Sequence, residues 1–120
     1  KELNKLKDSN PEKVLLVENF GKVNYFNAMF YSKLLIGNTS SGIIEAASFN
    51  KYVINVGDRQ KGRTHGTNVF NTGFDSVKII EIFNNLINEK DLKMDNIYFK
   101  KHTARKIITT LKKNIFNDKL

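Results

Sequence analysis

The chain has 120 residues, with 20 Lys+Arg against 12 Asp+Glu for a formal charge of +8 and a pI of about 9.7. With 40% apolar, 11% aromatic and 27% charged residues, it has the material for one packed core and is a poor fit for disorder, collagen or coiled coil. It contains no cysteine, which excludes disulfide scaffolds, thiolate zinc sites and Cys nucleophiles, and its apolar runs are far shorter than the roughly 20 residues that cross a bilayer.

Taken in chain order, Leu3 and Leu6 at helical spacing predict a first helix that the Asp8-Ser9-Asn10-Pro11 cluster ends. Val14-Leu15-Leu16-Val17 predicts a short strand. Tyr25, Ala28 and Met29 recur with helical period up to Ser32, and Leu34-Leu35-Ile36 predicts a buried strand that stops at Gly37-Asn38. Thr39-Ser40-Ser41-Gly42 then opens a well-buried helix carrying Ile43, Ile44, Ala46, Ala47 and Phe49 and ending near Asn50. Tyr52–Val56 is the third expected strand, followed by a polar stretch from Gly57 to Gly66 and a short apolar Val69-Phe70. Asp75 and Ser76 are caps for a helix carrying Val77, Ile80, Phe83, Leu86 and Ile87, and a last helix runs from about Thr103 to Ile115. Short apolar strands alternating with helices predict an α/β fold with a parallel, Rossmann-like sheet covered on both faces. Three strands are few for such a sheet, and the chain opens on Lys in a helical pattern. Both features predict a piece of a longer protein, and no apolar leader is evident.

The basic charge is the first sign of nucleic-acid binding, but its distribution weakens that sign. Seven of the 20 cations fall in Lys100–Lys119 against the single anion Asp118, as on a solvated terminal helix, and 16 asparagines point to a compositional bias across the chain.

Two strand-to-helix turns carry the chemistry, because ligands of open parallel sheets bind beyond the carboxyl ends of the strands. In the first, "LLIGNTSSGIIEAASF", Thr39, Ser40, Ser41 and Gly42 place small side chains and hydroxyls where a helix begins. Such a turn admits an oxyanion to free N–H groups, and the same residues would cap any helix. Glu45 follows Ser41 by four residues on the same face; a carboxylate there suits a vicinal diol, or serves simply as a favourable first-turn charge. In the second turn, "NVGDRQKGRTHG", Arg59, Lys61 and Arg63 cluster among glycines, which suits phosphate recognition or a solvated loop. His65 is one of only two histidines and reads as solvent-facing. No paired carboxylates, His cluster, Ser-His-Asp set, Walker loop or GxGxxG fingerprint is present.

"GNTSSGIIEAASF", followed nine residues after Phe49 by "DRQKGR", resembles the C-terminal half of the UDP-N-acetylglucosamine 2-epimerases, in particular the hydrolysing kind of sialic-acid and related nonulosonate pathways. The resemblance covers roughly Val14 to Ile115 and implies a GT-B-like parent of two Rossmann-type domains, with the whole chain, residues 1–120, as the UDP-binding C-terminal domain. It implies that Thr39 and Ser40 hold the diphosphate with Ser41 and Gly42 completing the turn, that Glu45 takes the ribose hydroxyls, that Arg59 belongs to the nucleotide site, and that Phe20 and Tyr25 lie beside the uracil. Lys61 and Arg63 are expected to extend the phosphate loop. The catalytic acid/base groups of the family lie outside this chain, so no catalytic residue, metal or cofactor is expected within it. Thr39 stands where serine is commoner, Ala47 where proline is frequent, and Tyr98-Phe99-Lys100-Lys101 where a Gly-Asp-Gly-like turn precedes the last helix.

The absence of cysteine fits a reducing cytoplasm, and the resemblance implies an enzyme converting UDP-N-acetylglucosamine and water to N-acetylmannosamine and UDP. Its implied partners are UDP or a UDP-sugar, an N-terminal domain and, in the full enzyme, a second copy of itself. The alternatives are the nucleotide-binding half of a GT-B glycosyltransferase, a 2-epimerase acting on a UDP-diacetamido sugar, and a non-enzymatic anion or nucleic-acid-binding module.

Overall fold

A computed structural model describes residues 1–90 and 93–117, and the chain divides into two compact units, Lys1–Ser32 and Lys33–Leu120. Asp118 and Lys119, counted in the basic terminal segment, lie outside the described residues.

The first unit holds two helices, α1 (Glu2–Ser9) and α2 (Gly21–Tyr31). Helix α1 stops where expected. The Asn10 amide donates to the Lys7 carbonyl and its side chain to the Leu6 carbonyl at 3.2 Å, and Pro11 cannot extend the helical ladder. The start of α2 is fixed by Asn19, whose Oδ1 accepts the Gly21 N–H at 2.7 Å in a side-chain-closed turn. Its end is closed by Ser32, whose hydroxyl donates to the Met29 carbonyl at 2.8 Å. The expected strand at Val14–Val17 does not form: those residues carry no regular structure and Leu15 is exposed. An extended apolar run becomes a strand only when a neighbour pairs with its backbone, and none among the described residues does.

The second unit is built on a parallel sheet of three strands in the order β1 (Leu34–Gly37), β2 (Tyr52–Val56), β3 (Val69–Thr72). The third strand is thus Val69–Thr72, of which the sequence pattern displayed only Val69-Phe70. Only Val69 of this strand is buried, while Phe70 and Asn71 are exposed, so its burial requires no longer apolar run. Register pairs Gly37 with Asn55, and Asn55 with Asn71, so all three strands end on one side of the sheet. The central strand is buried on both faces, with Val53, Ile54 and Asn55 each at most 3% exposed. This explains why it reads as a continuous apolar run.

Helix α3 (Ser40–Ile44) is followed by a 3₁₀ turn, Ala46–Phe49, so the single helix expected here changes winding at Glu45. The segment ends at Asn50 as expected, in the left-handed conformation with φ 55°, a region asparagine tolerates better than most residues. Gly42 lies so close to the sheet that a Cβ there would meet Val53 Cγ1 at 3.0 Å. A side chain here would have to be accommodated by movement of Val53 or of α3, so glycine suits this close approach. Helix α4 (Ser76–Ile87) is capped by Asp75, whose carboxylate accepts the Val77 and Lys78 amides, and it packs on β2 and β3. Helix α5 (Thr103–Asn117) forms as its periodicity predicts, yet Ile107, Ile108, Leu111 and Ile115 are all exposed among the described residues. No helix among those residues is long and apolar enough to cross a membrane.

Candidate functional site

The parallel register brings the segments after β1 and β2 to the same edge of the sheet. After β1, Thr39 adopts an extended backbone and its Oγ1 accepts the Gly42 N–H at 3.3 Å, the expected N-cap. The Thr39 and Ser41 hydroxyls are themselves 3.0 Å apart, so the turn presents paired oxygens with Ser40 exposed between them. Helix α3 has only five residues, so its dipole is weaker than the sequence pattern suggested, and the hydroxyls and amides of the turn carry more of any anion contact.

Glu45 is the C-cap of α3 rather than a mid-helix residue; its amide donates to the Ser41 carbonyl at 2.9 Å, which keeps it one turn from Ser41. It is half-buried, and its Oε2 is buried without a hydrogen-bond partner among the described residues. The change of winding at Glu45 is supported from a distance. The Asn96 side chain donates to the Ile44 carbonyl and to the Ser48 hydroxyl, each at 2.7 Å, and so satisfies a carbonyl that the end of α3 leaves free.

After β2, Gly57 turns the chain with φ +81°, a conformation that disfavours every L side chain. A Cβ there would also meet Phe74 Cζ at 2.6 Å. Arg59, Lys61 and Arg63 all project from the following loop as exposed residues, and Arg59 makes no ion pair among the described residues. Between Arg59 and Lys61, Gln60 turns inward and is 5% exposed. Its Nε2 donates to the Asn38 carbonyl at 2.6 Å, tying this loop to the turn after β1. Its Oε1 is buried with no hydrogen-bond partner among the described residues, a state that costs about 1–3 kcal/mol.

Lys61, Arg63 and His65 line a cavity of about 360 Å³ together with Asn55, Asn71 and Thr72. The structure therefore brings Lys61 and Arg63 together; Thr39, Ser40, Ser41, Gly42, Glu45 and Arg59 do not line this cavity. His65 is exposed as expected, but its ring is held at both nitrogens. Asn55 Nδ2 donates to Asn71 Oδ1 at 2.8 Å, Asn71 Nδ2 lies 2.9 Å from His65 Nε2, and His65 Nδ1 lies 3.0 Å from the Gly66 carbonyl. The Gly66 carbonyl can only accept and the Asn71 N–H₂ can only donate, so the two contacts suit the tautomer that carries its hydrogen on Nδ1. A further anchor is the Tyr98 hydroxyl, which donates to the Thr64 carbonyl at 2.6 Å.

Phe20 and Tyr25 belong to the first unit. Phe20 is the N-cap of α2, Tyr25 is half-buried with its ring tilted on Phe26 at 6.3 Å, and both line a cavity of about 530 Å³ with Glu18 and Lys22. The residues that sequence reasoning did not reach are Gln60, Asn71, Asn96 and Tyr98. Each acts through a hydrogen bond to a residue distant in the chain, and such bonds leave no local pattern.

Curated relatives share this chain's sequence. The UDP-N,N'-diacetylbacillosamine 2-epimerase (hydrolyzing) of Legionella pneumophila is 32% identical over 99 residues, 82% of this chain and 26% of that protein. The GDP/UDP-N,N'-diacetylbacillosamine 2-epimerase (hydrolyzing) of Campylobacter jejuni is 43% identical over 63 residues, 52% of this chain and 16% of that protein. The polysialic acid biosynthesis protein P7 of Escherichia coli is 36% identical over 93 residues, 74% of this chain and 24% of that protein. The chain thus spans about a quarter or less of the length of these relatives. The UDP-N-acetylglucosamine 2-epimerase family profile matches residues 1–112, and with the α/β sheet and its paired turns the chain belongs to that family.

Proposed function

We propose that this chain is the UDP-binding part of a hydrolysing UDP-sugar 2-epimerase. The observation that carries the reading is the hydrogen-bonded junction of the Asn38–Gly42 turn with the Arg59 loop at the carboxyl edge of the sheet, in a chain of this family. On this reading the Thr39 and Ser40 hydroxyls and the amides of the turn donate to the diphosphate oxygens, with Ser41 and Gly42 setting the turn's shape. Glu45, half-buried at the end of α3, accepts the ribose hydroxyls; Phe20 and Tyr25, which the resemblance puts beside the uracil, belong to the first unit. The exposed Arg59 pairs with the diphosphate as the anomeric carbon–oxygen bond breaks, stabilising charge on the leaving UDP. Lys61 and Arg63 extend that positive field.

The parent reaction would eliminate UDP from UDP-N-acetylglucosamine to leave a glycal, and water would then add to give N-acetylmannosamine. The acid/base groups would come from elsewhere in the longer protein. A second substrate, a UDP-diacetamido sugar, is favoured by the names of the Legionella and Campylobacter relatives; the sugar contacts that separate the two substrates would lie largely outside this chain.

Calorimetric or NMR titration of the chain with UDP, with inorganic diphosphate and a short oligonucleotide as controls, tests the reading. It expects saturable UDP binding, weaker diphosphate binding, and loss of the UDP preference in Glu45→Ala. Salt-sensitive oligonucleotide binding by a folded chain indifferent to UDP would replace this reading with that of a basic nucleic-acid-binding module.

A further inference from the structure

We infer that Gln60 is a positioning residue that sets the Asn38–Gly42 turn against the Arg59 loop, so that the two halves of the site move as one. The inference rests on the proposed nucleotide site but goes beyond it, since Gln60 is assigned no contact with ligand.

Three observations support it. The bond from Gln60 Nε2 to the Asn38 carbonyl is 2.6 Å long and joins residues 22 apart in sequence. The carbonyl it orients belongs to the peptide that leads into Thr39, so the bond fixes the plane from which Thr39 begins its cap on Gly42. The neighbours of Gln60 are the exposed Arg59 and Lys61, so holding Gln60 inward leaves both cations directed outward. Burial alone does not account for this side chain. Gln60 is 5% exposed and its Oε1 has no partner, whereas a methionine of similar length would fill the space with no unpaired group. What the amide contributes beyond volume is its one donated bond.

The remaining bonds of the loop run elsewhere: Lys61 and Arg63 donate their amides to Asp58 and Gln60 within the loop, and Thr64 accepts from Tyr98. Without the Gln60 amide the loop would keep its own turns and lose this bond to the peptide that leads into the Thr39 cap.

The test compares the unaltered chain with Gln60→Met and Gln60→Glu. NMR of the ligand-free proteins reads the amides of Thr39 to Gly42, and thermal unfolding checks the fold. In Gln60→Met the amides of Thr39 to Gly42 should shift and broaden while those of α4 stay in place, and UDP affinity should fall about tenfold. Gln60→Glu should restore the unaltered amide positions at acid pH, where its protonated carboxyl donates to Asn38, and lose them at alkaline pH, where a carboxylate flanked by Asp58, Arg59 and Lys61 cannot donate. Gln60→Met should show no such pH profile. Unmoved amides in a folded Gln60→Met, or the absence of acid rescue in Gln60→Glu, would overturn the inference. Because the amide readout needs no ligand, an unaltered chain that ignores UDP would sink the proposed function, while the spectra of the two variants would still decide the role of Gln60.

Discussion

The two turns at the carboxyl edge of the sheet solve the same problem in opposite ways. After β1 the chain needs only Asn38 and Thr39 before a helix begins, and Gly42 presses that helix onto Val53 of the buried central strand. Its polar groups are therefore fixed before any ligand arrives. After β2 the chain runs from Gly57 through the exposed Arg59, Lys61 and Arg63, held by single bonds from Gln60 and Tyr98 and by the Asn55–Asn71–His65 chain. On the proposed reading one turn supplies preorganised donors, and the other supplies long cationic side chains that keep their freedom until a ligand claims it. Substitutions in the first should therefore register as stability, and those in the second as affinity.

The largest expected effect is that of Gly42→Val. Even its first added carbon meets Val53 Cγ1 at 3.0 Å, so Val53 must give way or α3 must lift, with an expected loss of about 2 kcal/mol in denaturant unfolding and of UDP binding with it. Full stability in that variant would mean that the contact between turn and strand is slack. Next comes Arg59→Ala, which should weaken UDP binding by about 10- to 100-fold, as expected for a lost charge-assisted bond, without moving the melting temperature. A melting shift comparable to that of Gly42→Val would erase the contrast between the turns. The smallest is Tyr98→Phe, which removes only the 2.6 Å bond to the Thr64 carbonyl. It should cost about 1 kcal/mol and appear as faster hydrogen exchange at the Lys61 and Arg63 amides, with those of Thr39 to Gly42 unchanged.

Much of this fold was legible in the residues. The apolar runs at Leu34–Ile36 and Tyr52–Val56, the Asp75 cap and the stop at Asn50 each follow from local chemistry that acts within a few residues. The two departures among the strands share one cause. Val14–Val17 has strand composition and no partner, while Val69–Thr72 has a partner, β2, and only two apolar residues in its favour. Pairing, a tertiary event, decided both. In the site, the hydroxyl turn and the basic loop were visible because their residue types cluster in sequence. The junction at Gln60 was not, because its partner lies 22 residues away. The break at Glu45 was equally hidden, since it is stabilised by Asn96 across a separation of 52 residues.

That last separation has a consequence for the order in which the molecule assembles. The bonds Asn96 to Ile44, Met94 to Asn50 and Lys33 to Glu89 close loops of 52, 44 and 56 residues, and contacts of such span form late because their loop entropy is spent before they reward it. Strands β1 and β2 can pair, and Thr39 can cap α3, while the segment around Asn96 is still emerging from the ribosome. The winding of the chain at Glu45 is then completed only when that segment docks, so the carboxylate proposed to grip the nucleotide would be among the last parts of the site to mature.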